Sequence, residues 1–294
     1  MWQKYWFVII MAQSIKYIKN RIRSVENIKK VTNAMQMISV VKLKRMESKL
    51  FASRAYVLKL EDIMQNLAGL SEEFLPEYFK KKSGQGDIAL CVVTSDSGLC
   101  GVYNQNIIRA AEEFIKSNGS NRVRLILVGQ KGLNYFSSKN ASITNSYVGL
   151  NAKFSRNFCD KITGELIRLF LSGEVGSVYL AYAYFGSSII QKVIIQRLLS
   201  IELRKAKSIE CITEPDLKSI LADITLRYLL AKIQLVLLEA FTSEHAARTV
   251  SMKTATDNAR ELLGGLILLR NKVRQSGITR DILEISSSAE ALKG

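Results

Sequence analysis

The sequence predicts a mixed α+β and α/β fold: a long antiparallel coiled coil of N- and C-terminal helices around a central Rossmann-like α/β domain. Three observations predict it. Apolar residues recur at heptad spacing in both terminal segments. Strand-like and helix-like stretches alternate between them. Only two prolines, Pro76 and Pro215, occur in 294 residues, and both fall between those segments. Proline breaks helix interiors, so its absence elsewhere permits very long helices.

Residues 12–70 read as the first coiled-coil helix. Ile15, Ile18, Ile22 and Val25 follow one another in steps of three and four, the heptad signature. The apolar phase then slips by one residue and resumes at Ile28, Val31, Met35 and Ile38, and the stretch ends on Val57, Leu60, Met64 and Leu67. Such a helix would run roughly 90 Å at 1.5 Å per residue, more than an ordinary globular core needs. Residues 1–11 are read as an N-terminal extension and set aside, because a second methionine, Met11, follows the start. The apolar run Trp6–Ala12 falls short of the roughly 18 residues a membrane span requires. It has no small-residue cleavage site, which argues against a signal peptide.

Residues 71–216 hold the central domain. Residues 71–85 and 207–216 read as linkers into and out of it. Asp87–Thr94, Arg122–Val128 and Ser177–Phe185 read as strands, and Asn104–Lys116 and Phe154–Leu171 as helices. That alternation predicts a mostly parallel sheet. Residues 217–294 mirror the first segment: Leu217, Leu221, Ile224, Tyr228, Ala231, Leu235 and Leu238 alternate four and three. Between Thr242 and Asn258 Ser, Thr and Ala dominate, which marks either close helix approach or an exposed face. The apolar pattern returns at Ala259, Leu263, Leu266 and Val273.

The formal net charge of +16 implies an acidic partner: nucleic acid, an anionic membrane surface or an acidic protein. Ten cations (Lys16, Lys19, Arg21, Arg23, Lys29, Lys30, Lys42, Lys44, Arg45, Lys49) face only Glu26 and Glu47 between residues 11 and 50. They read as a solvated coiled-coil face, as phosphate contacts, or as contacts to an acidic protein ring. Tyr17 is the only aromatic between residues 12 and 50, which gives little for base stacking.

The four cysteines, Cys91, Cys100, Cys159 and Cys211, have no metal or redox spacing and read as reduced thiols. The loop Ser95-Asp96-Ser97-Gly98-Leu99-Cys100-Gly101 lies where α/β proteins bind ligands, but lacks a phosphate-binding fingerprint. It reads as a tight turn that uses the freedom of Gly98 and Gly101. His245, the single histidine, reads as a helix-surface residue beside Glu244. No catalytic, metal or cofactor-binding constellation stands out.

Several stretches, in order over residues 12–292, resemble the gamma family of rotary (F-type) ATP synthases. They include Arg21-Ile22-Arg23-Ser24-Val25-Glu26-Asn27 with Lys30-Val31-Thr32-Asn33-Ala34-Met35-Gln36-Met37, and the loop from Ser95 to Gly101. They continue with Ser243-Glu244-His245-Ala246-Ala247-Arg248, Ala255-Thr256-Asp257-Asn258-Ala259 and Asn271-Lys272-Val273-Arg274-Gln275. The resemblance implies a non-catalytic rotor shaft that couples proton flow to ATP synthesis on beta subunits, with no cofactor and no small-molecule substrate of its own. The implied partners are three alpha and three beta subunits, an epsilon subunit and a c-ring, with no nucleic acid. The implied location is peripheral, on the cytoplasmic face of a bacterial inner membrane.

By the same resemblance, Lys29, Lys30, Lys42, Arg274, Gln275 and Thr279 are the stator-ring contacts. Ile278, Ile282, Leu283, Ile285 and Leu292 are the bearing tip. Asp96, Gly98, Leu99, Cys100 and Gly101 form the rotor loop. Ser97 departs from the family's usual Arg or Lys, Ser200 from a Pro, Arg270 from an aromatic, and Ser286–Ser288 from a Gly-containing stretch. No closely spaced central cysteine pair suggests thiol switching. A basic helical nucleic-acid-binding protein is the alternative reading, and an α/β enzyme with a coiled-coil arm a third.

Overall fold

A computed structural model describes residues 2–70, 75–79, 86–118, 123–188, 190–201 and 216–291, with side chains described from residue 15 onward. Most of both proposed linkers, Cys211 and Leu292 lie outside the described residues. In chain order the elements are α1 (Trp2–Ala68), a 3-10 turn (Glu77–Phe79), β1 (Asp87–Val93), α2 (Tyr103–Ser117), β2 (Val123–Val128), α3 (Gln130–Ser138), β3 (Ile143–Tyr147), α4 (Arg156–Leu171), β4 (Val175–Phe185), β5 (Gln191–Leu199) and α5 (Leu217–Ala291). The chain divides into two compact units, residues 39–250 and residues 1–38 with 251–294. The α/β unit therefore takes in a large part of both long helices, beyond the limits read from composition.

In the α/β unit, five strands form one sheet in the order β3-β2-β1-β4-β5. β3, β2, β1 and β4 are parallel, and β5 runs antiparallel to β4. β1 and β2 are near-continuous apolar runs because both of their faces are covered. Alternate side chains point to opposite faces. Ala89, Cys91 and Val93 join α4 and the two long helices through Val57, Met64, Leu166, Phe170, Leu229 and Phe241. Ile88, Leu90 and Val92 join α2 and α3 through Ile107, Ala111 and Phe136.

α3, β3 and β5 are absent from the sequence reading. β3 (ITNSY) is an edge strand with mostly polar side chains and no buried residue, so no apolar alternation marks it. β5 lies at the opposite edge and stays half-buried along most of its length. α3 is a nine-residue helix, too short for a period to stand out.

The coiled-coil phase corrects the sequence reading. In the unit of residues 1–38 and 251–294, Ile18, Ile22 and Val25 pack with Ala259, Leu263 and Leu266. The next inward positions are Lys29, Thr32 and Gln36, half-buried and still in steps of four and three. Ile28, Val31 and Ile38 are instead 54%, 58% and 57% exposed. The phase never slips; only hydrophobicity moves to the neighbouring face. Thr256 donates its hydroxyl to Thr32 at 2.8 Å, so a polar contact fills the seam there.

In the α/β unit the same spacing holds through Ser39, Leu43, Met46, Leu50, Ser53, Val57, Leu60, Met64 and Leu67, all buried. On α5 the small residues settle the open choice in favour of close approach. Thr242, Ser243 and Ala246 are fully buried, and the Ser243 hydroxyl donates to the Ala183 carbonyl at 3.0 Å. Arg54 pairs with Glu239, and Lys232 with Glu61, so α1 and α5 run antiparallel in this unit.

Truncating fully buried Leu50 to alanine is expected to cost about 2–5 kcal/mol in urea unfolding. Ile28→Ala, on the exposed face, is expected to stay within about 0.5 kcal/mol. Equal losses at the two positions would contradict this seam.

Candidate functional site

The loop that follows β1 is held from three directions. The Thr94 amide donates to the Val128 carbonyl at 2.8 Å, and the Thr94 hydroxyl accepts from the Gly132 amide at 2.9 Å. At Gly132 an added Cβ would lie 2.8 Å from that hydroxyl oxygen, so the close approach requires glycine. The Ser95 amide donates to Asn104 Oδ1 at 2.9 Å. Asp96 accepts three backbone amides, from Gln130 (3.0 Å), Gly149 (3.1 Å) and Asn151 (2.6 Å). Gln130 opens α3, where unpaired amides would otherwise attract an anion. The chain's own carboxylate therefore occupies the site that a phosphate would need.

The turn does not use its glycines as the sequence suggested. Gly101 has φ 58°, but Gly98 is not left-handed; Leu99 is, at φ 63°. A non-glycine residue there carries strain that the surrounding bonds must hold. Leu99 and Val102 project outward at 58% and 63% exposure, while Cys100 is buried with its thiol pushed up by desolvation.

Arg248 of α5 supplies the third hold. Its guanidinium donates to the Gly98 and Ser97 carbonyls at 3.2 Å, to the Ser97 hydroxyl at 2.9 Å and to Glu244 at 2.7 Å. Ser97 thus receives a cation from α5.

Around this hold lies a buried polar cluster. Glu244 and His245 are each 2% exposed. Burial pushes the Glu244 carboxyl up to about 7, against the pull of Arg248 and Lys42 and with help from Asp96. Burial pushes His245 down to about 4, and the charges of Arg248 and Lys42 add to this. His245 is therefore a neutral, buried seam residue, correcting the surface placement. Neither ring nitrogen makes a hydrogen bond of good geometry, and the Ala152 backbone is the polar group beside the ring.

Lys42 is half-buried, and its charge acts on both Glu244 and His245 of α5. The other expected contact residues belong to the unit of residues 1–38 and 251–294. Lys29 is half-buried on the seam, whereas Lys30, Arg274, Gln275 and Thr279 are exposed. Ile278, Ile282, Leu283 and Ile285 are 52%, 60%, 61% and 71% exposed. Steps of four and three put Ile278, Ile282 and Ile285 on one helical face.

Sequence reasoning missed the pair Arg54 and Glu239, 185 residues apart and lacking any motif. Among the described residues, no group of three or more His, Cys, Asp or Glu could hold a metal ion. Among them also, no helix is long and apolar enough to cross a membrane.

Asp96→Ala is expected to speed hydrogen exchange at the Gln130, Gly149 and Asn151 amides by about tenfold or more, since each loses a charge-assisted bond. Glu244 has a separate pH signature. Its folded value is raised to about 7, so the stability it contributes at low pH is lost as pH rises through 7. Glu244→Gln is expected to flatten that fall between pH 5 and 7 in urea midpoints. His245 acts oppositely: its lowered value removes stability as pH falls from 6.5 to 4.

The fold recurs in known proteins. The ATP synthase family profile matches residues 14–292. The ATP synthase gamma chain of Protochlamydia amoebophila is 33% identical over 284 residues, covering 95% of this chain and 99% of the relative. That of Anaeromyxobacter sp. (strain Fw109-5) is 35% identical over 288 residues, with the same coverage of each. A chain of the Euglena gracilis mitochondrial ATP synthase rotor shares the fold, with TM-score 0.67 and 14% identity, covering 91% of this chain and 99% of that one. The chain belongs to the ATP synthase gamma-chain family.

Proposed function

We propose that the chain is the central shaft of a rotary, proton-translocating ATP synthase and does no bond chemistry itself. Identity of 33–35% to gamma chains over nearly the full length carries this reading. The basic-face alternative, nucleic-acid binding, has no support from those relatives.

In this reading the paired helices turn within a ring of three alpha and three beta subunits. The α/β domain is the foot on the epsilon subunit and the c-ring. Nucleotides bind on the partners. A different helix face meets each beta subunit, and a face that fits one conformation better shifts its nucleotide affinity. Moving a site from 1:99 to 99:1 takes about 5.5 kcal/mol of differential contact. Linkage is reciprocal, so nucleotide state pushes back on shaft angle.

Arg274, Gln275 and Thr279 are assigned to gripping beta subunits, with Lys29, Lys30 and Lys42 on the other helix. Ile278, Ile282, Leu283, Ile285 and Leu292 are assigned to the ring's apolar bearing. The exposure of Ile278, Ile282, Leu283 and Ile285 supports the role, because apolar side chains left in water gain by being covered. The rotor loop, through Asp96, Gly98, Leu99, Cys100 and Gly101, presents Leu99 to a partner. The complex associates peripherally with the cytoplasmic face of a bacterial inner membrane.

The test is a pull-down of the tagged chain from detergent-solubilised native membranes. Recovery of alpha, beta, epsilon and c subunits is expected; recovery of nucleic acid alone would reject the shaft. Truncation after Arg274 is expected to weaken assembly and ATP-driven proton pumping. Arg274→Ala is expected to weaken the stator contact by about 1.5–3 kcal/mol, the range for a charge-assisted bond. Normal pumping by the truncated chain would remove the tip from the mechanism.

A further inference from the structure

We propose that Arg54, Glu239 and the Phe185 peptide form the positioning knot through which turning force passes between the α/β sheet and the paired helices. The proposal rests on the shaft reading above. All three residues belong to the unit of residues 39–250.

The geometry joins three elements at one point. Arg54 of α1 grips Glu239 of α5 through two bonds, Nε to Oε1 at 2.7 Å and Nη2 to Oε2 at 2.8 Å. Both side chains also hold the last residue of β4. The Phe185 amide donates to Glu239 Oε2 at 2.8 Å, and the Phe185 carbonyl accepts from Arg54 Nη2 at 2.5 Å. The Phe185 side chain is 1% exposed and packs among Leu43, Met46, Leu50, Leu238 and Ala246, from both helices. The Arg54 guanidinium also sits 4.6 Å from the Tyr184 ring centre. Glu239 is 2% exposed and Arg54 22%.

Physical reasons assign this knot the load. Apolar packing holds helices against the sheet, but it is non-directional and resists sliding weakly. A forked guanidinium–carboxylate pair is directional in two dimensions and gains strength where water is excluded. Arg248 of α5 also grips the sheet domain, but at the loop after β1, through the Ser97 and Gly98 carbonyls, and two further ties to α5 are single and neutral. The Tyr103 hydroxyl donates to the Ala240 carbonyl at 2.9 Å, and Ser243 to Ala183 at 3.0 Å. The looser pair of Lys232 and Glu61, at 3.9 Å, joins α1 to α5. The knot joins α1, α5 and the end of β4 at one point through a part-buried, forked ion pair.

The test uses the whole membrane complex in sealed vesicles. Variants are Arg54→Gln, Glu239→Gln, the double variant, and Arg54→Lys, which keeps the charge and loses the fork. Three quantities are read: assembled complexes per vesicle, ATP hydrolysis with an uncoupler, and protons pumped per ATP against an imposed gradient. Hydrolysis per complex is expected to persist without a gradient. Protons per ATP are expected to fall roughly tenfold in Arg54→Gln at the highest gradient, the ratio set by one lost charge-assisted bond.

Arg54→Lys is expected to lie between wild type and Arg54→Gln. The double variant is expected to fall no further than the worse single one, the mark of residues acting as a pair. Fewer complexes with an unchanged proton-to-ATP ratio would overturn the assignment, since a purely structural role predicts that. If the Gln variants do not assemble, Arg54→Lys carries the measurement with the same criterion. Absence of this chain from the purified complex overturns the shaft reading itself, and subunit content distinguishes that outcome from a failure of the knot.

Discussion

Two helices that share a seam must turn an inward side chain every third and fourth residue without a missed beat, and this constraint governs α1 and α5. Where apolar residues run out, the beat continues on Lys29, Thr32, Gln36 and Ser39 in one helix and on Thr242, His245, Thr249 and Thr256 in the other. Polar seam positions cost stability but fix register, because each needs a particular partner. The hydroxyl pair Thr32 and Thr256 is such a partnership. Leucine at these places would pack more strongly and would tolerate sliding by a turn.

The same constraint explains what the sequence revealed and what it concealed. The two long helices were legible from their heptads and from the absence of proline. The core strands β1, β2 and β4 were legible because burial on both faces makes them continuously apolar. The seam between residues 28 and 38 was not, because Ile28, Val31 and Ile38 mimic a heptad on the neighbouring, exposed face. Edge strands β3 and β5 escaped notice because half-covered strands need no clean alternation. The loop's position was legible, but its anchoring was not. Asp96 finds its amide partners and Arg248 its carbonyls only once distant segments are folded together.

Charge is divided between surface and interior. The chain carries +16 overall, yet the carboxylates of Glu239 and Glu244 are buried, each beside an arginine. Burying charge is costly unless the remaining hydrogen-bonding positions are filled. Glu239 fills one with the Phe185 amide, whereas Glu244 has one guanidinium and titrates near neutrality. The two pairs share a chemistry and differ in how firmly they are held.

The Asp96 loop has a consequence for what can bind at the strand ends. An α/β sheet of this kind habitually offers its strand ends to nucleotides and phosphate. Here a carboxylate from the chain itself already accepts the amides of Gln130, Gly149 and Asn151. Free nucleotide would have to displace a tethered anion of the same sign of charge, whose local concentration no solute matches. At this strand end the chain thereby answers its own amides, and a solute phosphate finds none of these three free to receive it.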